Sequence, residues 1–178
     1  MTDHFRDIVL PAIREYYESE NNLTTAISGQ SDDLEAVRLE ALRRARTAVI
    51  ELNHLSDDYS HTNNEPLSEL REKLFSHCTM MRSGQPYNDF TLIRDIADAF
   101  KHTEISRSSA SVKHKKAVIS TSTGYGELGY GEGKWGGVEQ VVVKFPDEKS
   151  RALTSIIQNV VDAWRRVLGT ELPPISEF

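Results

Sequence analysis

The stretch RDIADAFKH, residues 94 to 102, places two acids, two bases and a histidine within nine positions. On a helical wheel, Arg94, Asp98, Lys101 and His102 gather on one side. Ile93, Ile96, Ala97 and Phe100 gather on the other, and Asp95 falls at the edge of the polar group. A carboxylate one turn before an imidazole can orient it and favour its charged form. Arg94 and Lys101 can grip a phosphate or stabilise an anionic transition state. The set suits metal-free phosphodiester chemistry, with His102 as general acid and base, Asp98 orienting it, and Arg94 and Lys101 on the phosphate. The same pattern also has a purely structural explanation: an amphipathic helix is polar on its wet face. Exposed i,i+4 pairs such as Arg94–Asp98 and Asp98–His102 then contribute only tenths of a kcal/mol.

Two further stretches carry candidate binding residues. GYGELGYGEGKWGG, 124 to 137, sets Tyr125, Tyr130 and Trp135 among glycines that permit tight turns. It has no G-K-[ST] ending, and its glutamates oppose phosphate, so it is no phosphate loop. It reads as a long β-hairpin whose aromatics pack on helices, or as a binding loop for a partner or an exposed base. VKHKK, 112 to 116, is a compact basic run, with Arg107 near it. Lys113, Lys115 and Lys116 either blunt a sheet edge or form a local phosphate patch.

The elements that must position these residues follow from periodicity. Helices are expected from about 4 to 18, with Pro11 kinking the first or delaying its start, and from about 33 to 56, capped by Ser31 or Asp32. Leu34, Ala41, Ala48 and Leu55 mark the buried seam of the second. Its Arg38, Arg43, Arg44 and Arg46 read as a solvated face paired with Glu35, Glu40 and Glu51, or as a phosphate-binding face. SDDYSHTNNEP reads as a polar loop, and Gly29 as the end of any short helix in ENNLTTAISGQ. PLSELREKLFSHCTMM is a third helix, and 89 to 103, capped by Asn88 or Asp89, a fourth. VEQVVVKF, 138 to 145, alternates as a strand. Asp147 can cap a last helix, 148 to 168, buried through Leu153, Ile156, Ile157, Val160, Val161, Trp164 and Leu168. The expected fold is mainly α: a bundle of about five helices over 4–103, a β-hairpin over 112–145 and a C-terminal helix, forming one domain over 1–178.

Composition narrows the classes. With 178 residues, 38% hydrophobic and 27% charged, the chain can bury a real core. Its net charge of −6 lowers the pull of nucleic acid on the whole molecule but leaves room for a local basic patch. The single cysteine, Cys78, excludes an internal disulfide and reads as a buried, inert thiol. The six histidines are scattered, and no paired Cys/His spacing exists, so neither a metal nor a cofactor is expected. No leader and no run of roughly 18 apolar residues is seen, so a soluble, cytoplasmic protein without a membrane partner is expected.

Short all-helical bacterial domains with a late Arg…His pair on one helix form the HEPN family, and residues 5–103 resemble them through Arg94 and His102. The family spaces the pair by four to six residues, whereas seven intervene here. Arg71 and His77, in LREKLFSH, fit the count, but a spacing of six sets them about 240° apart on a helix. Asp95 stands where the family often carries a polar residue directly after Arg. The resemblance implies a helical bundle, often dimeric, in which Arg and His of two subunits meet and cleave RNA through 2′-OH attack without a metal. It does not extend to the hairpin. Two functions follow as expectations. One is a small intracellular binding or regulatory module, self-associating, in a defence or toxin–antitoxin setting, with a protein or RNA partner. The other is a HEPN-like ribonuclease.

Overall fold

Pro11 shapes the start of the molecule. It has no N–H, and its ring presses on the carbonyl one turn back. The chain absorbs this with a π-helical turn, Phe5–Val9, that runs into helix α1, Leu10–Ser28, and the Leu10 N–H donates to the Phe5 carbonyl. The computed structural model describes residues 3–29, 33–82, 85–102, 105–122, 128, 134, 138–146 and 149–169.

Helix α1 passes well beyond residue 18, where the sequence reading ended it. Ser19, Glu20 and Leu23 are buried. The hydroxyls of Thr24, Thr25 and Ser28 donate back to the carbonyls four residues before them, so this polar run feeds the helix instead of breaking it. Gly29 ends it as expected.

Helix α2, Leu34–Asn63, also overruns its expected end near 56, because Leu55 and Ser56 stay buried and Tyr59 packs edge-on against Trp164 at 5.5 Å. The supposed loop SDDYSHTN is therefore helical, and Asn64 stops it in the left-handed region at φ 52°. The caps Ser31 and Asp32 lie outside the described residues.

Helix α3, Leu67–Cys78, is shorter than its expected run to Met81. Strand β1, Thr79–Arg82, pairs antiparallel with β2, Gln85–Asn88. Asn88 then caps α4, Asp89–Lys101, its side chain accepting from the Thr91 N–H at 3.0 Å.

After α4 come β3, Val118–Ser122, and β4, Glu139–Lys144, the expected hairpin. β5, Ser150–Ala152, was not expected. It adds to β4 and makes a three-stranded antiparallel sheet with β4 central. β5 takes residues assigned to the last helix, so α5 is Leu153–Leu168 and the Asp147 cap lies outside the described residues. The alternation expected of β4 is also absent. Glu139 to Val143 are all buried, because the strand is central and lies against α1, α2 and α5.

The fold is mainly α, with five helices among the described residues and this small sheet before the last of them. α1 packs on α2, α2 on α4, and α5 on α3 and α4. Phe5, Tyr16, Leu23, Leu52, Leu74, Ile96 and Trp164 fill the space between them. No helix among the described residues is long and apolar enough to cross a membrane.

Candidate functional site

α4 buries Ile93, Ile96 and Ala97 of the apolar side of its wheel, leaves Phe100 half-buried, and buries Leu92 and Ala99 as well. Asp95 departs from the expectation. It is fully buried, not at the edge of a wet face. A charge taken out of water must be met by donors, and two come from the segment just after the helix. The Ser111 backbone N–H donates to Asp95 Oδ2 at 2.7 Å, and the Arg107 guanidinium pairs with Asp95 Oδ1. Arg107 also reaches Asp98 Oδ2 at 3.4 Å.

The segment folds on itself to make these contacts. The Ile105 N–H donates to the Lys113 carbonyl at 3.1 Å, and the Ala110 N–H to the Arg107 carbonyl at 3.2 Å. Ala110 and Val112 are buried, while Ser111 and Lys113 between and beyond them are exposed. A 3-10 turn, Lys115–Ala117, then packs against α4 and leads into β3. The lysines thus precede the edge strand and do not lie in it.

The result joins two stretches that are separate in sequence. Lys101 and His102 at the end of α4, and Lys113, His114, Lys115 and Lys116 in the folded-back segment, are all exposed. Lys101 Nζ lies 2.7 Å from His54 Nε2 on α2, which adds a residue that no spacing in the sequence points to.

The catalytic geometry read from the wheel is not formed. α4 ends at Lys101, and His102 has extended backbone angles (φ −116°, ψ 151°). Only its backbone N–H meets Asp98, at the carbonyl, 2.9 Å away. The Asp98 carboxylate faces Arg107 instead of the imidazole. Arg94 is half-buried, with a buried Nε that has no hydrogen-bond partner among the described residues. Of the four candidates, Lys101 and His102 lie open on the surface. Asp98 is committed to the folded-back segment, and Arg94 is partly covered.

The other candidates fall elsewhere. Tyr125, Tyr130 and Trp135 lie outside the described residues. Lys134, in the same Gly-rich stretch, is anchored on α1, its Nζ donating to the Glu20 carbonyl and Thr24 Oγ1, each at 3.1 Å. The arginine-rich face of α2 is largely occupied. Arg43 and Arg44 hold Glu40, whose carboxyl is lowered to about 2 by their hydrogen bonds. Arg44 also meets Glu15, and Arg38 makes a bidentate pair with the buried Glu139 of β4. Cys78 borders a polar cleft with His77, Asn159 and Arg166. Its thiol is buried, and that burial pushes it up to about 12, which removes it as a nucleophile. No cluster of three or more possible metal ligands occurs among the described residues.

In comparisons with known proteins, no family model, curated protein or solved structure matches the chain.

Proposed function

We propose that the chain is a small HEPN-like helical module that binds RNA through the face formed by the end of α4 and the segment 105–117. The carrying observation is the docking of that segment on α4 through Asp95. It folds the segment that carries the exposed Lys113, His114, Lys115 and Lys116 back onto α4, whose end carries the exposed Lys101 and His102, in a chain whose net charge is −6. An acidic protein with one basic face attracts a polyanion there and repels it elsewhere. The cations come from two stretches of chain, the end of α4 and the folded-back segment, which suits the spaced phosphates of a strand better than a single anion. The lone cysteine, buried and unreactive, fits a reducing, cytoplasmic setting.

Self-association of the HEPN kind would press two copies of these lysines together. A homodimer across this face is therefore expected only with an anion between the copies. His102 supports a second reading. It is exposed and has no side-chain hydrogen bond among the described residues, so it is free to move a proton at a bound phosphodiester. The experiment is titration of a labelled single-stranded RNA at several salt concentrations, in EDTA, with the integrity of the RNA followed. Salt-sensitive binding that is weakened in Lys115→Glu/Lys116→Glu supports the module. Binding that is unchanged by those substitutions removes the face from the proposal.

A further inference from the structure

We infer that Asp95 is a positioning residue of this face, holding the 105–113 segment, and with it Lys113, Lys115 and Lys116, against the helix whose end carries Lys101 and His102. The inference rests on the RNA-binding reading and adds to it a residue that touches no ligand. Asp95 is fully buried. Its two oxygens are met by different parts of the segment, Oδ2 by the Ser111 N–H at 2.7 Å and Oδ1 by Arg107. A bare lysine run after a helix end samples many directions, and ordering it on binding costs free energy. Here the ordering is done in the free protein. Arg107 ties the first half of the segment and Ser111 the second, and the Ile105–Lys113 hydrogen bond closes the loop that contains both. The apolar anchors Ala110 and Val112 hold the segment down, and the buried carboxylate adds the directional contacts that fix its position along α4.

The sign of the charge makes this testable. Asp95 is an anion beneath a face meant for anions. If it acts by its field alone, removing its charge tightens RNA binding. If it acts by position, removing its charge weakens binding. The probe is a fluorescein-labelled single-stranded oligouridylate of about 12 nucleotides, within the span that such surfaces cover. Its affinity is followed from low to physiological salt for the full chain.

Four proteins are compared: wild type, Asp95→Asn, Arg107→Lys and Lys115→Glu/Lys116→Glu. Arg107→Lys keeps the cation and loses the fork that reaches Asp95 and Asp98 together. The expected result is a loss of about tenfold in both Asp95→Asn and Arg107→Lys, with a salt slope shallower by about 1 or more as lysines leave the phosphates. Thermal melting establishes that each variant is folded at the binding temperature. If Asp95→Asn does not fold, Arg107→Lys decides, since its guanidinium is 31% exposed and its charge is unchanged. Weaker binding in the lysine variant, with Arg107→Lys unchanged and Asp95→Asn unchanged or tighter, overturns the positioning role and leaves the RNA reading standing. An unchanged lysine variant overturns both.

Discussion

Asp95 Oδ2 accepts the Ser111 backbone N–H at 2.7 Å across 16 residues of chain, and no part of the carboxylate reaches solvent. Substituting Asp95→Ala strands that N–H and takes the buried acceptor from Arg107, which is 31% exposed and keeps Asp98. Leaving one buried donor unsatisfied costs about 1–3 kcal/mol. Urea unfolding followed by circular dichroism should show a loss near this size. Asp98→Ala, at the 3.4 Å end of the same arginine, should cost under about 1 kcal/mol, because that carboxylate is 30% exposed.

A second buried pair ties β5 to α4. Arg151, 2% exposed, meets the fully buried Asp89, and Asn159 Nδ2 donates to Asp89 Oδ2 at 2.7 Å. Asp89→Ala takes a buried carboxylate from both the Arg151 guanidinium and the Asn159 amide, and a loss of about 3–5 kcal/mol is expected. Replacing both partners with Asp89→Leu and Arg151→Met removes both buried charges, and the double variant should recover most of that loss. A double-mutant cycle measures the difference. A double variant as unstable as Asp89→Ala would mean that packing, not charge, dominates the site.

Two glutamates around β4 should bend the pH profile of stability in opposite directions. Burial raises the Glu20 carboxyl, outweighing the hydrogen bonds from Tyr16 and the Val141 N–H and the nearby Lys134. Its folded state holds the proton more tightly than the unfolded chain. The stability it contributes is therefore complete below the ordinary carboxylate range and is lost as pH rises through its raised value. Burial also pushes Glu139 up, but the hydrogen bonds from Arg38 and Ser120 and the Arg38 charge outweigh it, so its carboxyl ends below the ordinary value. Its contribution is present above that range and is lost as pH falls through its lowered value. Denaturant midpoints from about pH 3 to 8 should fall less toward acid in Glu139→Gln than in wild type. Glu20→Gln, which keeps an acceptor for Tyr16 and Val141, should lose the decline that wild type shows as pH rises. Parallel curves for the two variants would contradict these assignments.

Much of the bundle is legible in the sequence because helix seams are local. The Leu34–Ala41–Ala48–Leu55 repeat, the wheel of 89–103 and the stripe of α5 need only the 3.6-residue period to be seen. Helix ends are less legible, since tertiary burial decides them. SDDYSH has poor helical propensity and stays helical because Leu55 and Tyr59 are held in the core. β5 is only three residues long and exists because β4 offers it an edge. At the face on α4, residue types were visible but partners were not. Nothing in the order of residues says that Asp95 turns inward to meet Arg107 and Ser111, or that His54 meets Lys101. Asp98 and His102 have the spacing of a pair, but the helix ends between them and the geometry of the wheel stops with it.

The histidine at that helix end separates binding from chemistry. His102 is exposed and its imidazole is not held by Asp98, so His102→Ala removes one polar contact from the face and leaves the lysines in place. Affinity for single-stranded RNA should then drop by no more than about threefold, the scale of one exposed contact. If the face also cleaves, EDTA leaves the wild-type reaction intact and His102→Ala abolishes it at nearly unchanged affinity, because losing a proton-transfer group costs about 10²–10⁴ in rate. Gel analysis of the RNA recovered from the binding assay reads both quantities in one sample. Cleavage that persists in His102→Ala would assign the chemistry to another group. Intact RNA with both proteins, bound with a steep salt dependence, would make this a binding face whose histidine contributes only contact.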